Sequence, residues 1–209
     1  MMLPCTGAGF LIYCRVYQPL VITISGKNTG ERIHVSLRGV QPLLMHAPNA
    51  IGAPASKKRV TSYDPEEEAA AALYKNPEGA ICIPNLVVLG AIREAAKEHK
   101  AAGKGRRTLK QFVLSGIRIY PDMIPIAPQE WTVDARPVVV QRARVMRWRP
   151  KFEGWSLKFD LEIVDPAVFT PPTVRDILED AGRFVGLCDF RPLFGTFEVE
   201  EFERIRDGV

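Results

Sequence analysis

The residues able to carry acid–base or nucleophilic chemistry are sparse. The histidines are His34, His46 and His99. His34 stands on the polar side of an alternating segment, and His46 lies just beyond it. Either is suited to take a proton from a ribose hydroxyl in a metal-independent ribonuclease. Each fits a polar surface position or a phosphate contact equally well. His99 falls where a helix is expected to end, and a cation there complements the helix dipole. Glu66-Glu67-Glu68 has the composition of an acidic first turn behind Asp64 and Pro65. Asp189 is expected to pair with Arg191 or to cap a backbone amide. Cys5, Cys14, Cys82 and Cys188 show no CxxC spacing and none adjoins a histidine. This argues against a zinc centre or a disulfide framework and for reduced, buried thiols. A phosphate loop ending in Gly-Lys-Ser/Thr, a Gly-x-Ser-x-Gly elbow and a His-Glu-x-x-His helix are all missing. No catalytic residue, metal or cofactor is therefore assigned.

Arginine and lysine carry more information. The chain has 209 residues, with 28 Lys or Arg against 24 Asp or Glu and a formal net charge of +4. Apolar residues make up 46% and charged residues 25%, which supports a buried core and excludes wholesale disorder. The excess of positive charge is small but clustered. Lys57-Lys58-Arg59 is one cluster. Between Arg93 and Arg118, eight Lys or Arg, including Lys104, Arg106 and Arg107, face only Glu94 and Glu98. From Arg136 to Lys151 no acidic residue interrupts Arg136, Arg142, Arg144, Arg147, Arg149 and Lys151. Segregated positive charge is the footprint of a polyanion-binding surface. Phosphate contacts of this kind give affinity without sequence reading and weaken with salt. Tyr120, Trp131, Trp148 and Phe152 lie nearby, available to stack on unpaired bases or to pack in the core. The expected phosphate-binding set is Arg38, Lys57, Lys58, Arg59, Lys104, Arg106, Arg107, Arg142, Arg144, Arg147 and Arg191.

These side chains need elements to position them. Residues 10–25 are rich in β-formers and read as one or two strands, an N-terminal extension over 1–31. Residues 32–38 alternate Ile33, Val35 and Leu37 with Arg32, His34, Ser36 and Arg38, a half-buried strand with a positive polar face. Residues 47–80 read as an insertion, a loop followed by a short helix that Asp64 caps. A helix is expected over 85–100, with Leu86, Leu89, Ile92, Arg93 and Ala96 on one stripe. Strands follow at 138–148 and 155–163, joined as an antiparallel hairpin, then a helix at 172–184 and a strand at 196–202. Residues 108–135 fit no single core element and are left as a further strand and loop. The order is βαββαβ, which predicts an α+β, ferredoxin-like fold with two helices over a four-stranded antiparallel sheet in a single domain. The loop 186–195 carries Gly186, Gly195 and Arg191, so its backbone can approach a ligand closely while a guanidinium binds it.

Three segments in this order resemble the RAMP superfamily of CRISPR-associated proteins. The first is the strand and loop over 33–46. The second, Ile83-Pro84-Asn85-Leu86-Val87-Val88-Leu89-Gly90-Ala91-Ile92-Arg93, is similar to the IPGSSLKGALR-type segment that opens the first helix of that superfamily. The third, Val185-Gly186-Leu187-Cys188-Asp189-Phe190-Arg191-Pro192-Leu193-Phe194-Gly195, resembles its C-terminal glycine-rich loop. Asn85 and Leu86 replace small residues, and Cys188 stands where a second glycine is usual. The resemblance implies a single-stranded RNA (or DNA) binding module, closest in plan to the subunits that line guide RNA. It implies a homo-oligomer or a multi-subunit ribonucleoprotein, with inserts acting as a thumb or finger. Some members cut RNA with a histidine or with an aspartate after the first strand. No Asp precedes Asp64 in that loop, so the expectation is binding without cleavage. The alternatives are a metal-independent endoribonuclease of this fold and a phage-encoded structural or interaction protein. No segment approaches the roughly 18 consecutive apolar residues of a membrane span. No Lys or Arg precedes Arg15 in the manner of a secretory signal. The expected location is cytoplasmic, without membrane association.

Overall fold

The computed structural model describes residues 30–47, 64–140 and 142–205. The expected N-terminal strands and Lys57, Lys58 and Arg59 lie outside the described residues. In chain order the elements are β1 (Glu31–Gly39), β2 (Leu43–Leu44), α1 (Pro65–Ala71), β3 (Cys82–Pro84), α2 (Asn85–Ala95), β4 (Ile117–Tyr120), β5 (Met123–Ala127), β6 (Thr132–Val140), β7 (Ala143–Phe152), β8 (Ser156–Ile163), α3 (Pro171–Asp180) and β9 (Phe197–Arg204). α3 continues into a π turn, Ala181–Val185.

Alternation builds the main sheet. Ile33, Val35 and Leu37 of β1 and Leu157, Phe159, Leu161 and Ile163 of β8 are all buried on its core side. α2 and α3 cover that side, through Val88, Leu89, Ala91, Ile92 and Ala95 of the first and Val174, Ile177 and Leu178 of the second. The sheet has six strands, ordered β3-β5-β8-β1-β9 with β4 also on β8. β4 and β5 flank the same edge of β8 in succession, with Pro121 between them. Asp64 caps α1 by accepting from the Glu66 amide at 2.9 Å, and Pro65 occupies its first turn.

The βαββαβ plan is present as β1, α2, β4/β5, β8, α3 and β9, but two expectations need correction. The sheet is larger than four strands, and a second sheet of three strands, β2-β7-β6, stands beside it. The second core strand lies within 117–127 and not within 138–148. Ile117, Ile119, Ile124 and Ile126 give that stretch a clean buried alternation. Residues 138–148 belong to β6 and β7, which pair with each other from Thr132↔Lys151 to Val140↔Ala143. The expected hairpin of 138–148 with 155–163 does not form. The chain instead crosses between sheets beside Trp155, which is fully buried and donates from Nε1 to the Gln41 carbonyl at 2.8 Å.

Gly182 lets the π turn seat on β9, because a Cβ there would stand 2.2 Å from the Phe197 carbonyl oxygen. Gly182→Ala is expected to cost about 1–3 kcal/mol through overpacking. Gly90→Ala, in α2 with nothing within 4 Å, should instead stabilise by about 1 kcal/mol. Urea unfolding of the two variants checks both signs.

Candidate nucleic-acid interface

The polar face of the main sheet does not have the expected positive character. Register sets acidic residues opposite Arg32, His34, Arg38 and Arg118. Arg38 contacts Glu198 at 3.0 Å and Glu200 at 2.7 Å. His34 Nδ1 lies 2.8 Å from Asp160, Lys158 lies 3.9 Å from Glu201, and Arg118 lies 3.9 Å from the buried Glu162. Tyr120 donates to Glu162 at 3.1 Å. A polyanion on this face would have to displace those carboxylates and would meet Glu203 as well. His34 is therefore poorly placed to meet an RNA strand, since Asp160 and Glu203 flank it.

The β6–β7 ribbon is different. Cross-strand pairing puts Asp134, Arg136, Arg147 and Arg149 on one face and Val133, Pro137, Val139, Arg144 and Met146 on the other. The first face is clamped to the body. Arg147 reaches Glu68 of α1 at 3.1 Å, and Arg136 holds Asp134 at 2.6 Å. Arg136 also stacks on Phe194 at 4.4 Å. Arg149 is only 7% exposed and contacts Asp189 at 2.7 Å. The second face is open, with Val139 70% and Met146 44% exposed beside Arg144. Ten residues of β7 span about 33 Å, well past the two-residue pairing with β2.

Next to the ribbon base lies a cleft of about 310 Å³, lined by His46, Tyr74, Leu86, Val87, Gly90, Cys188, Asp189 and Arg191. It gathers the three segments singled out in the sequence. Pro84 precedes α2 without a side-chain cap, and the first helical amide, that of Asn85, donates to the Asp122 carbonyl at 2.8 Å. Leu86, expected in the core, is 70% exposed at the rim, where β3 feeds straight into the helix. Tyr74 donates to the His46 carbonyl at 3.4 Å. Burial, and next the Arg149 guanidinium, hold the His46 imidazole below its ordinary value and thus neutral at pH 7. Burial pushes the Cys188 thiol up to about 12, so it stays protonated and unreactive.

The expected cations fall into separate groups. Arg142, Arg144 and Arg191 are exposed and have no carboxylate partner among the described residues. Lys104, Arg106 and Arg107 are likewise exposed, in the turn after α2 closed by the Lys100↔Thr108 bridge. α2 itself is about 16 Å long. Its outer stripe, Leu86, Gly90, Arg93 and Lys97, runs between the two groups. Arg38 stands on the far side of the sheet, and Arg147 is held by Glu68. The pairing of Asp189 is with Arg149, not Arg191; its amide-capping role is present as a 2.9 Å bond from the Phe190 amide. Phe152 is core, while Trp148 is half-buried on the ribbon. Tyr74 and the clamping role of Arg149 had no signal in local sequence, because both depend on contacts across tens of residues. Among the described residues no His, Cys, Asp or Glu cluster could hold a metal, and no helix is long and apolar enough to cross a membrane.

No family model and no curated protein matches the sequence. Among solved structures the fold is similar to a chain of the Type III-B Cmr-beta complex bound to cognate target RNA, determined by cryo-EM. The TM-score is 0.56 at 11% identity, covering 85% of this chain and 61% of that one. The likeness is one of fold, a mixed α/β architecture on a ferredoxin-type plan with antiparallel sheets. This chain spans about three-fifths of the length of that neighbour.

His46 makes stability pH-dependent with a definite sign. Its folded pKa lies below the ordinary 6.5, so the unfolded chain takes up the proton first as pH falls. The contribution is intact above about 6.5 and is lost as pH drops through the folded value. Urea midpoints should fall between pH 7.5 and 5.5 in the wild type and fall less in His46→Gln.

Proposed function

We propose that this chain binds single-stranded RNA along the outer side of α2, as a subunit of a multi-subunit ribonucleoprotein. The strand would pass from Lys104, Arg106 and Arg107 along Gly90 and Arg93 to Arg191 in the cleft. It would then meet Arg142 and Arg144 on the ribbon. The observation that carries this reading is the sorting of charge. Cations on the polar sheet face are neutralised by cross-strand carboxylates. Lys104, Arg106, Arg107, Arg191, Arg142 and Arg144 have no such partner among the described residues, while Lys97 on the α2 stripe pairs with Glu94. The fold likeness to a chain of an RNA-bound complex supports RNA as the polyanion and a larger assembly as its context. The apolar rim formed by Leu86 and Val87 suits a base beside the phosphate.

A second reading, a metal-independent endoribonuclease, has one observation in its favour: a neutral imidazole, His46, lines the same cleft as Arg191. Labelled RNA incubated with the protein in EDTA separates the two. Binding without cleavage is expected, and cleavage abolished by His46→Ala would establish the second.

For binding, Arg191→Ala and the Arg142→Ala/Arg144→Ala pair should each weaken affinity for unrelated RNA oligomers alike. Each lost phosphate contact should reduce the salt slope by about 0.7. Arg38→Ala should leave affinity and slope unchanged, since Arg38 is held by Glu198 and Glu200. Fluorescence anisotropy across a salt series reads all three.

A further inference from the structure

We infer that Arg149 is a positioning residue: through Asp189 it holds the loop that presents Arg191, and so couples the ribbon base to the cleft. This rests on the RNA-binding reading for its consequence, though not for its geometry. Arg149 sits in the most basic run of the chain, where a phosphate contact would be the simple expectation. Its residue is 7% exposed, however, and its Nε lies 2.7 Å from Asp189 Oδ2. The guanidinium lies 5.1 Å from the Phe190 ring centre. Asp189 uses its other oxygen to accept from the Phe190 amide at 2.9 Å. Its own amide donates to the Leu44 carbonyl at 3.0 Å.

The residues on either side of Asp189 need that support. Cys188 has φ +60 and Phe190 has φ +55, left-handed backbone that non-glycine residues adopt only when the surroundings impose it. Asp189 is the side chain that imposes it, and Arg149 is its counter-ion. Arg191 follows directly, so its place in the cleft depends on this contact. Arg136, on the same ribbon face, stacks on Phe194 from the other end of the loop. The loop is thus gripped twice by one ribbon face, and neither ribbon base nor loop can shift alone. Arg149 Nε and Nη1 are both buried and make no hydrogen bond among the described residues, so the 2.7 Å approach to Asp189 acts as an ion pair. The ion pair with Asp189 and the aromatic face of Phe190 therefore constitute its anchorage.

Hydrogen exchange on the free protein tests the contact without any ligand. In Arg149→Ala and in Asp189→Asn, the amides of Asp189, Phe190 and Phe194 should exchange about tenfold faster or more, with β1 and β8 unchanged as the fold control. Arg149→Lys, which keeps charge but loses the planar stack, should fall between. Unchanged loop exchange in both Asp189→Asn and Arg149→Lys would overturn the inference, even if Arg149→Ala failed to fold. Anisotropy with an oligouridine RNA then tests the consequence. Arg149→Ala should reduce the salt slope by as much as Arg191→Ala, and the double variant should lose no more than either alone. A slope loss in the double variant equal to both single losses together would make Arg149 a direct phosphate contact and overturn the assignment. If the wild type binds no RNA while loop exchange still responds, the binding reading fails and the positioning role stands.

Discussion

A buried cation organises the cleft beside the ribbon base. Arg149 enters from a strand of the ribbon, meets Asp189 of the glycine-bearing loop, and lies beside His46 at the exit of β2. Removing a charge from water is expensive unless it is paired, so this contact exists only when ribbon, loop and β2 exit come together. Sequence segments more than a hundred residues apart are thereby brought to one cleft. The left-handed backbone at Cys188 and Phe190 adjoins this contact, and Arg191 follows at the cleft.

A second constraint is register. A period of two puts the polar residues of β1, β8, β4 and β9 on a single face. Cross-strand pairing then matches Arg38 with Glu198, Ser36 with Lys158 and Glu201, and Arg118 with Glu162. The result is a mosaic of opposite charges with little net field. Cations outside the sheet are not subject to that matching. Those on the turn after α2, on the glycine loop and at the ribbon tip keep their field. Sheet geometry therefore determines which side of a mildly basic chain can attract a polyanion.

Much of this was legible in the sequence, and the failures have identifiable causes. β1, α2, β8, α3 and β9 announce themselves by alternation or by helical spacing, and Asp64-Pro65 marks the start of α1. The second core strand was missed because Pro121 splits it into two short pieces, each too brief to signal alone. Residues 138–148 misled because Val138, Val139 and Val140 have strand propensity without saying which strand they pair with. The short link before Trp155 then favoured the wrong partner. At the candidate site, local sequence singled out the glycine-bearing loop with Arg191, which lines the cleft. It could not reveal that Arg38 is neutralised, since Glu198 and Glu200 lie some 160 residues on. It gave no hint that Arg149 turns inward while Arg144 turns outward, which the anchoring of one ribbon face determines.

The central claim is that the strand follows α2, the cleft and the ribbon, and not the polar sheet face. Photo-crosslinking of a 4-thiouridine-containing RNA, with adducts mapped by mass spectrometry, tests this most directly. The account predicts adducts within residues 86–107, 187–194 and 142–148. Adducts concentrated in residues 32–38, 156–162 and 198–204 would contradict it.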